Sequence, residues 1–281
     1  MSKVGGIQGF KGEVALFRVQ EELADLSFEL KGEGASSFAV TEKRKEENGL
    51  LFFKVGFQPA MERGFFGAEL VVGSGEETQV VQLRGVATKA LEGKNEPPLQ
   101  EILKALGTEI DAGGETLSLD TEKPAIGDSI TVTEFEVVGD ASVKFTPLAR
   151  YSPPGETPFG FAIQEGEELR LETIGKLAVT TSERPDAHQA IRPPLAGEQG
   201  TVVVADAPAR FGLFLKAHKY TSLTFPGRSE GATIKHTARI YPVKMFEGRA
   251  LENAYVVGFE EASNGDYQDA VFLIEGVKAV K

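Results

Sequence analysis

The chain has 281 residues, with 30 Lys plus Arg against 42 Asp plus Glu and a formal net charge of −12. Such an acidic chain lacks the basic face that nucleic-acid binding requires. The absence of cysteine removes thiolate catalysis, disulfide staples and Cys-based zinc sites.

Hydrophobic residues make up 41% of the chain, enough for a sizeable core and for two ordinary domains. No run of about 18 apolar residues is present, so no helix is expected to span a membrane. Residues 1–10 lack an apolar h-region and do not read as a signal peptide. The chain is therefore expected to be cytoplasmic, a mature form, or a piece of a longer protein.

In chain order, short strands are expected at 13–19, 25–30, 36–40, 50–59, 65–72 and 78–87, at intervals of roughly ten residues, the spacing of a sandwich. Ala68, Leu70 and Val72 alternate with Glu69 and Val71, as on a half-buried strand. The mixed-charge run 42–48 reads as a hairpin tip. At 97–106 a short helix is expected, with Asn95 or Glu96 as cap, Pro97 in the first turn and Gly107 at the exit. Leu99, Ile102, Leu103 and Leu106 lie on one face of it. Its other face carries Gln100, Glu101 and Lys104, which does not suit membrane binding; the helix is expected to dock on the second domain. Strands then return at 129–138, 142–151, 160–163, 168–175, 200–206, 210–217, 234–243, 253–260 and 270–280. Two of these, around Gly160 and Gly212, repeat a Phe-Gly entry and point to close backbone approach. The expected fold is all-β: an Ig-like sandwich over 1–90, a linker with one short helix over 91–108, and a larger sandwich or jelly roll over 109–281.

Phe57, Pro59, Gly64, Ala68, Leu70, Leu83 and Gly85 follow the F-x-P, Gly turn, A-x-L and L-x-G pattern of the second half of the immunoglobulin-like choice-of-anchor D domains. Residues 10–90 resemble that family. The resemblance implies an Ig-like sandwich within a longer, often secreted bacterial protein, without catalysis. Residues 241–244, 253–261 and 264–269 (YPVK, NAYVVGFEE, NGDYQD) are similar to the end of a module repeated in large secreted bacterial proteins. That resemblance implies extracellular or cell-surface placement and, through its acidic turn, calcium.

The acidic turn brings Glu260 and Glu261 at the end of one strand near Asp266 and Asp269 at the start of the next, with Asn264-Gly265 supplying the reversal. Four such carboxylates repel one another. Glu260, Glu261, Asn264, Asp266 and Asp269 are the candidate ligands of a structural Ca2+, which takes oxygen donors from carboxylates and loop carbonyls. The loop is not an EF-hand, and without a soft ligand zinc and copper are not expected. The alternative is a solvated acidic turn with Asx-type bonds to loop amides.

Other candidates are weaker. The run 227–231, GRSEG, fits G-x-S-x-G, but a strand rather than a helix is expected after Ser229, so a glycine-rich turn explains it. His188, His218 and His236 have no metal-pair spacing. The stretches 154–158 and 184–194 read as proline-rich surface loops. The chain has five tyrosines and no tryptophan, which weakens a sugar-binding platform. The expected role is a non-catalytic structural or adhesion module. A carbohydrate-binding accessory module is the alternative, and a serine hydrolase using Ser229 the least favoured. Expected partners are other domains of the same polypeptide and cell-surface or extracellular glycans or proteins. Nucleic-acid binding and membrane insertion are not expected.

Overall fold

The computed structural model describes residues 2–3, 11–18, 26–59, 63–74, 77–88, 93–197, 200–261 and 263–280. The expected strand ends at 19 and 25, turn residues 75 and 76 and linker residues 89–92 lie outside them. The chain forms two compact units, Met1–Pro97 and Pro98–Lys281. The short helix therefore belongs to the second unit and not to a separate linker. Among the described residues no helix is long and apolar enough to cross a membrane.

The first unit contains β1 (Ser2–Lys3), β2 (Lys11–Arg18), β3 (Ser27–Lys31), β4 (Phe38–Lys45), β5 (Leu50–Phe57), β6 (Gly64–Ser74) and β7 (Glu77–Thr88). One sheet runs β1-β7-β6-β3 and the other β2-β5-β4, with β1 parallel to β7 and all other pairs antiparallel. This order is that of an immunoglobulin-like sandwich. Period-two alternation builds its core: Leu51, Phe53 and Val55 from β5 meet Ala68, Leu70 and Val72 from β6. Residues 42–45 extend β4 and do not form the tip; the turn lies at 46–49, where Glu46 N–H donates to Leu50 O and Gly49 has φ 84°.

The second unit begins with α1 (Leu99–Ala105) and continues with β8 (Glu134–Val137), β9 (Val143–Tyr151), β10 (Thr157–Glu165), β11 (Glu168–Leu177), β12 (Gln189–Ile191), β13 (Val202–Val204) and β14 (Arg210–Ala217). It ends with β15 (Tyr220–Leu223), β16 (Ala238–Pro242), β17 (Met245–Phe246), β18 (Arg249–Ala250), β19 (Ala254–Phe259), β20 (Ala270–Glu275) and β21 (Val277–Val280). One six-stranded sheet runs β11-β10-β14-β8-β21, with β15 also on β14. The other runs β12-β9-β20-β19-β16, with β13 also on β9. The two inner faces share one core. Phe159 of the first sheet stacks on Phe272 of the second with ring centroids 4.6 Å apart, and Phe135 meets Tyr255 edge-on at 5.2 Å.

The closing run 270–280 is two strands, not one. Gly276, at φ 86°, passes the chain from the second sheet to the first, and a Cβ there would stand 2.5 Å from Ser142 O. The two Phe-Gly strands are neighbours: β10 pairs with β14, and Ala162 faces Gly212. At Gly160, beside a register shift, a Cβ would collide with Glu172 O; at Gly212 it would collide with the Phe225 ring. Gly160→Ala is expected to destabilise the second unit by about 1–3 kcal/mol, seen as a lower melting temperature. Gly155→Ala, which meets nothing, should leave it unchanged.

Helix α1 starts at Pro98 without a side-chain cap, so neither Asn95 nor Glu96 serves as its N-cap. Leu99, Ile102, Leu103 and Leu106 are all buried, as the apolar stripe requires. On β19, Val257 and Phe259 face the core, while Val256 and Gly258 face outward. The outward face is covered: a Cβ on Gly258 would stand 3.6 Å from Leu99 Cδ2. Gln100, on the expected polar face, is buried. Its Nε2 donates to Ile110 O at 2.9 Å, and its Oε1 accepts from Ala112 N–H at 2.7 Å.

Candidate functional site: a buried acidic hairpin

Strands β19 and β20 form a hairpin in register, Phe259 opposite Ala270, so Glu260 and Asp269 flank its mouth. The loop doubles back inside that mouth. Gly265 has φ 80° and Tyr267 has φ 53°, so two left-handed residues bracket Asp266. Tyr267 holds this conformation because its side chain is fully buried and its hydroxyl donates to His236 O at 2.7 Å. Gly258 must lack a side chain, because a Cβ there would stand 2.5 Å from Tyr267 O.

The loop folds around a carboxylate. Gly265 N–H and Asp266 N–H donate to Glu260 Oε2 at 2.7 and 2.9 Å. Glu261 N–H donates to Asp269 Oδ2 at 2.6 Å, and Asn264 Nδ2 donates to Asp266 Oδ2 at 2.6 Å. Gln268 Nε2 reaches the same oxygen at 3.4 Å. Relative exposure is 0% for Glu260, 1% for Asp266 and 6% for both Glu261 and Asp269. The acids are therefore packed inside the protein and not solvated, while carboxylate bonds to loop amides are present as the solvated-turn alternative expected. Part of the cover comes from the segment before β8: Leu119 N–H donates to Gly265 O at 2.8 Å.

Carboxylate oxygens of Glu260, Asp266 and Asp269 all lie within 4.8 Å of one another. Two ligands of one Ca2+, each at about 2.3–2.6 Å, can be no farther apart than about 5 Å, so the trio has the spread of a calcium shell. Glu261 is buried beside the trio but not within it. Asn264 is exposed and presents its amide nitrogen to Asp266, standing at the rim as a donor. Among the described residues no histidine joins such a group, which leaves an all-oxygen, hard-cation donor set.

Burial, then the charges of Asp266, Glu260 and Glu261, pushes the Asp269 carboxyl well above the usual carboxylate range. The folded protein thus keeps a proton that the unfolded chain has already lost, and this contribution to stability falls as pH rises from the unfolded value through the folded one. His236, pulled down by burial and by Arg239 and Lys235, acts in the opposite sense. In chelator-treated protein, the melting temperature of the wild type relative to Asp269→Asn is expected to be higher at pH 5 than at pH 7. A difference that grows toward pH 7 contradicts the assignment.

Two buried arginines beside the site escape a reading based on alternation. Arg150 Nε donates to Ser152 Oγ at 2.7 Å and Nη1 to Ala178 O at 2.7 Å, while Nη2 serves Pro153 O, Gly155 O and Thr157 Oγ1. Burial lowers its pKa to about 10, against the opposing pull of Glu261. Arg239 lies 4.9 Å from the centroid of the Tyr267 ring. The available signal was their position inside the apolar runs of β9 and β16.

Ser229 bonds with the Thr237 hydroxyl, and its Oγ accepts Leu223 N–H at 3.1 Å. The residues that follow run through turns to β16 with no helix, so the context of a nucleophile elbow is missing. His188 Nδ1 bonds with Thr180 Oγ1 and His218 lies in a turn, and neither belongs to the Glu260, Asp266 and Asp269 group.

No family model matches the chain, and no curated protein or solved structure matches it either. Three buried carboxylates in reach of one centre can share protons, pair with a cation or bind a metal. Arg150 and Arg239 spend their donors largely on backbone carbonyls.

Proposed function

We propose that this chain is a non-catalytic structural or adhesion module of a larger extracellular bacterial protein, and that calcium stabilises its second sandwich at the β19–β20 hairpin. The observation that carries this reading is the burial of Glu260, Asp266 and Asp269 with their oxygens inside one calcium-sized sphere. Three clustered carboxylates taken out of water are costly unless a cation compensates them. A calcium ion would be held by these three residues, with Glu261 adding negative potential; Asn264 closes the rim through Asp266. The bound ion supplies charge neutralisation and cross-links the ends of two central strands. It performs no chemistry on a substrate.

The choice-of-anchor D resemblance and the secreted-module resemblance support the surface location and the structural role. Other domains of the same polypeptide, and extracellular glycans or proteins, are the proposed partners. Extracellular modules hold calcium with dissociation constants of about 10⁻⁴–10⁻³ M. Titration calorimetry of chelator-stripped protein with calcium chloride is expected to show one site in that range. Flat heats up to several millimolar calcium would remove the calcium half of the proposal.

A further inference from the structure

Residues 106–133 connect α1 to β8 with no helix or strand of their own. Structureless connections longer than about 12–15 residues are uncommon in compact domains and usually functional. This one is fastened at two places. Against β16, Arg239 Nη1 donates to Lys123 O at 2.8 Å and Nη2 to Asp120 O at 2.6 Å; Ile130 N–H donates to Ile240 O at 2.8 Å; and Tyr241 Oη donates to Ala112 O at 3.0 Å. Three consecutive residues of β16 are thus tied down, on its outer face and along its free edge, where Ile130 forms an isolated bridge. The second fastening is to the acidic hairpin. Leu119 N–H donates to Gly265 O, and a Cβ on Gly265 would stand 2.8 Å from Thr121 Cγ2 and 2.9 Å from Leu119 O. The fastenings converge, because the Arg239 guanidinium that holds the carbonyls lies against Tyr267 of the hairpin.

We propose that residues 107–130 form a strap latched by the acidic hairpin, so that emptying the hairpin of its cation releases the strap and uncovers the edge of β16. Gly265 is the contact point. Its carbonyl accepts from the strap, while its own N–H is bonded to Glu260, one of the three clustered acids. A change in how Glu260 is held is passed to Leu119 through one residue. Release would turn β16 into an unpaired edge able to pair with another chain. The trigger rests on the calcium reading above; the latch does not.

Hydrogen exchange read by mass spectrometry on the full chain separates the two. With calcium bound, amides in 111–130 are expected to be protected, and chelation is expected to speed their exchange at least tenfold while β10 and β14 stay unchanged. Calcium binding without any change in the strap overturns the proposal. If calorimetry shows no calcium binding, the trigger fails and Gly265→Ala decides the latch: faster strap exchange upholds it, unchanged exchange overturns it. Coupling is reciprocal, which gives a second variant should Gly265→Ala not fold. Arg239→Lys keeps the charge, loses carbonyl bonds and touches no acid of the cluster. It is expected to loosen the strap and to raise the calcium dissociation constant at least fivefold; unchanged exchange and affinity refute the latch.

Discussion

Millimolar calcium is expected to raise the melting temperature of the second unit, and the double variant Asp266→Asn with Asp269→Asn is expected to abolish the rise. Ligand that binds only the folded state stabilises it by about 1.4 kcal/mol at a tenfold excess over the dissociation constant. For a domain of about 150–250 residues that corresponds to roughly 3–6 °C. The variant should also melt higher than the wild type in chelator, because it removes two of the carboxyl groups that crowd Glu260 and whose burial opposes ionisation. Differential scanning calorimetry reads both. A calcium-dependent rise that survives in the double variant would place the ion elsewhere. Equal midpoints with and without calcium would mean that these acids settle their repulsion by holding protons.

Leu103→Asp is expected to be the most damaging single substitution on α1. Leu103 is fully buried and belongs to the stripe that lies against the outer face of the second sheet. Truncating a buried leucine costs about 2–5 kcal/mol, and an unpaired carboxylate in the same place adds its desolvation. A loss of about 4 kcal/mol or more, or roughly 8–16 °C, should appear in the transition of residues 98–281. The chain holds two units, so calorimetry should resolve which transition moves. A Leu103→Asp protein that melts like the wild type would show that the helix contributes nothing to that unit.

Much of the fold was legible because half-buried strands write themselves with period two. Ala68, Leu70 and Val72 face the first core as their alternation requires, and the stripe on α1 is buried as its spacing requires. Alternation failed where a sheet is covered on both faces. β20 is buried at Ala270 through Ile274 without a break, and nothing in that run signals that Gly276 will hand the chain to the other sheet. Arg150, Arg239 and Gln100 sit at positions that alternation or the helical wheel assigns to solvent. Gln100 and Arg239 are held by residues 106–133, which have no period at all, and Arg150 by residues 152–157 and Ala178.

The same covering explains what was missed at the site. The sequence places Glu260 opposite Asp269 and puts Gly265 in the reversal, and the structure has both. A turn rich in acids is ordinarily solvated. Here the strap, tied by Leu119 to Gly265, lies against the turn together with Ser222, Thr237 and Tyr151, and the acids are buried. Asn264 read as a ligand because of its place in the motif, but its amide nitrogen meets Asp266. Gln268 and Tyr267, flanked by the two aspartates, turn out to shape the loop through Asp266 Oδ2 and His236 O.

The most direct measurement is a crystal structure of the protein grown in millimolar calcium, with anomalous scattering collected to locate the ion. The account predicts one peak between Glu260, Asp266 and Asp269, surrounded by six to eight oxygens at about 2.3–2.6 Å. A calcium-saturated crystal in which those three carboxylates hydrogen-bond to one another or to water, with no peak among them, would contradict it.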